Sequence, residues 1–216
     1  DKRETPLLNL TILRTPAFTF SLAALLLNQF FTLARGFMIP NFFQLTNGDS
    51  ALLSGCIILP ACLIGAISNP FSGRLYDHIG PKVPITLGFL LILFEVSLEM
   101  LFMCHVSAYV MMGIAIIFCL GQSLSTGNTT TFALRNLPAT YTADGTAVIN
   151  TLQQLFGAIG TAVASTVVSF GQAAHPEDLA LGTQVGTQWS LYMIFVLAIV
   201  MFVCALKGLR SQTHSN

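Results

Sequence analysis

Six long apolar runs, broken only by short polar links, decide what this sequence can become. A helix needs about 20 apolar residues to cross the hydrocarbon of a bilayer. Runs of that size lie at about 17–43, 51–71, 84–104, 107–128, 145–171 and 189–208. Charged residues make up 8% of the chain, where soluble domains carry about 25%. A surface so poor in charge cannot face water on all sides. The sequence therefore predicts an all-α, multi-pass membrane protein whose main partner is the lipid bilayer. The formal net charge is zero, which gives no case for a nucleic-acid partner.

Lysine and arginine in the links set the orientation expected of such a chain. Lys2, Arg3, Arg14, Arg74, Lys82, Arg135, Lys207 and Arg210 all fall on one side. The opposite links carry only Asp49, Glu177 and Asp178. Both termini and the links 72–83 and 129–144 are thus expected in the cytoplasm. Residues 1–16 then form a polar cytoplasmic lead-in, 17–208 the membrane domain and 209–216 a cytoplasmic tail. The chain opens on Asp1 rather than Met, so a piece of a longer protein is expected.

The runs differ in their faces. In the first, Ser21, Asn28, Thr32 and Arg35 are spaced by 7, 4 and 3 residues. At about 100° per residue they share one narrow face. The second has a small-residue stripe at Ala51, Gly55, Cys62, Gly65 and Asn69, with a kink expected at Pro60. The fourth gathers Gln122, Ser125, Thr126 and Thr129. The fifth aligns Thr146, Asn150, Gln153, Gly157, Gly160 and Ala164, a stripe that lets helices approach closely. The third and sixth are greasy almost throughout, apart from Glu95 and Glu99 in the third, and are expected to face lipid. The same pattern twice over predicts two three-helix units, 17–104 and 107–208. Three is odd, so the second enters from the opposite side, as an inverted repeat of the kind common in secondary transporters.

Charged groups inside spans stand out, because a cation there costs about 2.5–3.5 kcal/mol on insertion scales. Arg35 has two open readings: it lines a water-filled cavity and meets an anion or carboxylate, or it snorkels to the outer interface. Glu95 and Glu99 are one turn apart on one face. They either titrate as proton carriers or pair with Arg35, or else they hydrogen-bond a neighbouring helix, with Glu99 reaching the interface. Asn28, Thr32, Gln122, Asn150, Gln153 and Gln154 are candidates for cavity lining, with interhelical hydrogen bonding as the plainer reading. Cys56, Cys62, Cys104, Cys119 and Cys204 lack any metal spacing and read as small hydrophobes in helix packing. Among these residues no metal, phosphate-loop or nucleophile constellation stands out, so neither a cofactor nor an enzyme activity is expected.

One polar stretch resembles a known motif. Gly73-Arg-Leu75-Tyr-Asp77-His-Ile-Gly80-Pro-Lys82 resembles the loop between the second and third helices of a half in the major facilitator superfamily. Gln44-Leu-Thr-Asn-Gly48-Asp-Ser50, Leu59-Pro60, Asn69-Pro70 and Asn150-Thr-Leu-Gln-Gln154-Leu-Phe-Gly157 are similar to its 14-helix drug:proton antiporter branch. The resemblance covers most of 40–165. It implies the C-terminal six-helix half of a multidrug efflux transporter in a cell membrane, expected to be bacterial. The implied partners are an N-terminal half, a small amphipathic substrate and protons. It also implies a gating loop of Gly73, Arg74, Asp77, Gly80 and Lys82, in which Asp77 pairs with helix ends or a basic residue; a solvated hairpin is the alternative. The pattern departs at His78 and Pro81, where a basic residue is usual, and at Gln153, which stands where an Arg often precedes the Gln. A non-transporting membrane subunit, or a transporter of another small solute, remains the competing reading.

Overall fold

The computed structural model describes residues 10–213; the expectations for residues 1–9 and 214–216 lie outside them. A short turn of helix, Leu10–Arg14, leads into α1 (Pro16–Thr46), α2 (Ala51–Cys56), α3 (Leu59–Ile79), α4 (Lys82–Phe102), α5 (Ala108–Arg135), α6 (Thr142–Ala174) and α7 (Leu179–Thr213). Among the described residues, six stretches are long and apolar enough to cross a membrane, with α2 and α3 together supplying the second, Ala51–Ile79. A helix satisfies its own backbone, which is why hydrocarbon admits it.

The helices run further than the apolar runs, and the difference is physical. The stretch expected as a link at 72–83 is mostly helix: Gly73, Arg74 and Asp77 lie on the last turns of α3, and Lys82 begins α4. Only Gly80 and Pro81 connect them. Gly80 stops α3 with φ +80° and donates its N–H to the Tyr76 carbonyl oxygen at 2.9 Å, a backbone state that glycine adopts freely. The link expected at 172–188 shrinks to 175–178. Polar residues there dilute the hydropathy, yet they face a neighbouring helix: Gln172 donates to the Thr183 hydroxyl at 2.9 Å, and Thr187 and Ser190 are buried. The sixth run is therefore less featureless than its apolar core suggests. Pro60 does not kink a continuous helix. The break falls at Ile57–Ile58, and Pro60 sits in the first turn of α3, where its missing N–H costs nothing.

The two units, α1–α4 and α5–α7, exchange partners. α1 packs along α6 and α7, α5 packs along α3 and α4, α1 meets α5, and α4 meets α7. Swapping the units leaves this scheme nearly unchanged. The symmetry fails in one place: α6 lies against α7, whereas α3 touches α4 little. α3 thus rests chiefly on α5.

Glycines set the closest approaches. A Cβ on Gly88 of α4 would lie 2.6 Å from the Ser125 nitrogen, and one on Gly121 of α5 would lie 2.8 Å from the Gly88 carbonyl oxygen. On the other side, a Cβ on Gly182 of α7 would lie 2.7 Å from the Gln172 Cα of α6. Overfilling such a contact costs about 1–3 kcal/mol. Gly88→Leu is expected to lower the melting temperature in detergent by several degrees. Gly113→Leu, whose Cβ would meet open space, is expected to leave it unchanged.

Candidate functional site

Arg35 lies near the middle of α1 with 2% of its surface exposed. Its Nη2 donates to Glu95 Oε1 at 2.5 Å, and its Nε to Glu99 Oε1 at 2.8 Å. The two acids sit one helical turn apart on α4, so both reach the same guanidinium, and both are buried. The guanidinium carbon stands 4.4 Å from the centroid of the Phe118 ring on α5, a distance at which the ring face attracts a cation. Phe118 in turn meets Phe31 edge-on at 5.2 Å. Glu95 Oε2 and Glu99 Oε2 are buried with no hydrogen-bond partner among the described residues. One guanidinium therefore serves two carboxyl groups, and half of each carboxyl is left open.

One turn along α1 lies a second, uncharged cluster. Asn28 Nδ2 donates to Gln122 Oε1 at 2.7 Å and to Thr126 Oγ1 at 3.1 Å. Gln122 Nε2 donates to Thr32 Oγ1 at 2.5 Å, and the Thr32 hydroxyl donates to the Asn28 carbonyl oxygen at 2.8 Å. The Thr126 hydroxyl completes the cluster with a bond to Gln122 Oε1 at 2.5 Å. These bonds clasp α1 to α5.

Beyond the clasp, between α3 and α5, an open groove of about 730 Å³ is lined by Cys62, Asn69, Ser72, Cys119, Gln122, Thr126 and neighbouring small residues. Asn128 Nδ2 donates across it to Ser72 Oγ at 2.9 Å. Near the far end of α3, Arg135 of α5 reaches Asp77 at 4.0 Å, both well exposed, and its guanidinium lies 5.3 Å from the centroid of the Tyr76 ring.

The residues expected to line a cavity therefore separate. Gln122 borders the groove. Asn28 and Arg35 are shut between helices, because an unpaired amide or guanidinium in hydrocarbon is costly and α4 and α5 offer partners. Thr32 is held in the clasp. Asn150 and Gln154 are exposed on α6 and Gln153 is half-buried; none of the three borders the groove. Glu99 does not reach an interface but lies beside Glu95. Phe118, Asn128, Ser72 and Arg135 carry contacts that the sequence did not single out. An amide within a span is a usable signal for Asn128. Arg135 was visible only as an orientation charge, and nothing marks Phe118 among 17 phenylalanines.

Two three-helix units in a bilayer, exchanging partners around a buried ion cluster, define a multi-pass membrane protein of inverted-repeat build. The family model of the Major Facilitator Superfamily matches residues 1–161, and the chain belongs to that superfamily. It is similar to the lincomycin resistance protein LmrB of Listeria monocytogenes, 30% identical over 94% of this chain and 45% of that protein. LmrB of Bacillus subtilis is likewise 30% identical, over 94% of this chain and 43% of its own length. The multidrug resistance protein Stp of Mycobacterium tuberculosis is 25% identical over 82% and 33% respectively. The chain thus spans less than half the length of these relatives.

Removing one partner of a buried ion pair strands the other and costs about 3–5 kcal/mol, whereas replacing the whole cluster by apolar groups is often neutral. Arg35→Ala is expected to destabilise the protein by that order. The triple substitution Arg35→Met, Glu95→Leu, Glu99→Met is expected to recover most of the loss. Thermal unfolding in detergent reads both.

Proposed function

We propose that this chain forms the C-terminal half of a transporter that exports small amphipathic compounds, antibiotics among them, in exchange for protons. The observation that carries the reading is the Arg35–Glu95–Glu99 cluster. With all three groups ionised it holds one excess negative charge in a low-dielectric interior. A proton on either carboxyl cancels that charge, and each carboxyl has an open oxygen to take it. Intramembrane carboxyls in contact with a cation are the usual parts of proton-driven carriers. The names of the relatives, lincomycin resistance and multidrug resistance, support a drug-like cargo.

In this reading the groove between α3 and α5 contributes to a cavity completed by an N-terminal half. The halves rock, so the cavity opens to each side of the membrane in turn. The positive-inside pattern supports a cytoplasmic position for both termini, and the bacterial relatives support a bacterial plasma membrane. Asp77 and Arg135 then latch the cytoplasmic ends of α3 and α5. Both are exposed, and exposed pairs contribute little to stability, which suits a latch that opens every cycle.

The test uses inside-out membrane vesicles containing this chain together with its N-terminal half, with ethidium as cargo. Glu95→Gln and Glu99→Gln are expected to lose uptake driven by an imposed pH gradient, and Asp77→Asn to reduce it. Undiminished gradient-driven uptake in both glutamate variants would sink the proton assignment. Liposomes holding residues 1–216 alone are expected to show no gradient-driven ethidium transport, since half the cavity wall is absent.

A further inference from the structure

We infer that Gln122 is the residue through which cargo in the α3–α5 groove reaches the ion cluster, an inference that rests on the proton-exchange reading above. Gln122 borders the groove, and most of its side-chain bonding is already committed inside the protein. Its Oε1 accepts from Asn28 and Thr126, and its Nε2 donates to Thr32. Two of these three bonds hold α1. A cargo hydroxyl or amine that donates to Oε1 competes there with Asn28 of α1 as well as with Thr126 of α5. Asn28 Nδ2 then keeps only its longer bond to Thr126, at 3.1 Å, in place of the 2.7 Å bond to Gln122.

The clasp and the ion cluster share the same two helices at one turn's distance, about 5.4 Å. On α1, Thr32 precedes Arg35 by three residues. On α5, Phe118 precedes Gln122 by four, and the Phe118 ring is the seat of the guanidinium. Loosening α1 from α5 at Gln122 therefore shifts Arg35 relative to its seat and to the two acids. The titratable and charged groups facing Arg35 are Glu95 and Glu99 of α4 and the Cys119 thiol of α5; Cys119 also borders the groove. Cargo binds well only when the clasp is open, and the protonated cluster tolerates only certain positions of Arg35. That differential contact is what coupling between two sites requires. Gln122 is thus a positioning residue, acting on the proton through Arg35.

The experiment measures protons released per ethidium bound by the purified two-half protein, in weak buffer with a pH indicator. The unsubstituted protein is expected to release protons on binding, and Glu95→Gln to release none. In Gln122→Leu, and in Thr32→Val, which keeps the amide but removes its anchor on α1, release per bound ethidium is expected to be largely lost, because the coupling between the two sites runs through this clasp. If Gln122→Leu fails to insert or to bind ethidium, Thr32→Val decides. Unchanged release per bound ethidium in these variants, with Glu95→Gln silent, overturns the role of Gln122 and leaves proton exchange standing. An unsubstituted protein that binds ethidium and releases no proton overturns both.

Discussion

A guanidinium enclosed in hydrocarbon must find its counter-charges within the protein, and the arrangement around Arg35 follows from that. The cation fixes α1 against α4, which carries both acids, and against α5, which supplies the aromatic face. α1 thereby becomes the central element, in contact with α5, α6 and α7 as well. The bilayer supplies little drive for apolar helices to associate, since lipid tails are as apolar as leucine. Polar contacts and close glycine approaches therefore decide which helices meet. Gly88 and Gly121 bring α4 and α5 together closely enough for groups on both to surround Arg35.

The same logic explains why α3 differs from its symmetry mate. α6 is wedged between α1 and α7, while α3 leans mainly on α5. Few polar bonds secure it: the Asn128–Ser72 bond and the long Asp77–Arg135 pair. Elements with few buried contacts open most readily. A groove beside such an element is a natural place for a site that must change shape, and a cluster locked beneath α1 is a natural place for one that must not leak.

Much of this was legible in the sequence because hydrocarbon imposes simple rules. Length and apolarity marked the spans, and the repeat of faces marked the two units. The need of Arg35 for a partner made pairing with Glu95 and Glu99 one of the open readings. What stayed hidden was tertiary. A partner 60 or 64 residues away leaves no periodic trace, so the stripe Asn28–Thr32–Arg35 looked like a cavity wall when it is a helix contact. Hydropathy misplaces helix ends for two reasons: Thr183 and Thr187 read as a link although they are buried in packing, and Arg74 and Asp77 read as a loop although the exposed end of α3 runs on through them. Hydropathy measures a residue's taste for lipid and says nothing of a neighbour that satisfies it.

The spacing of the ion cluster along the chain has a consequence for biogenesis. Arg35 is made 60 residues before Glu95 and 64 before Glu99. At about 5–20 residues per second, the cation waits roughly 3–12 s for its counter-charges. During that interval α1 has a reason to linger in the aqueous or protein-lined path of the insertion machinery. Full accommodation of α1 in lipid then waits on the emergence of α4, although α1 is made well before it.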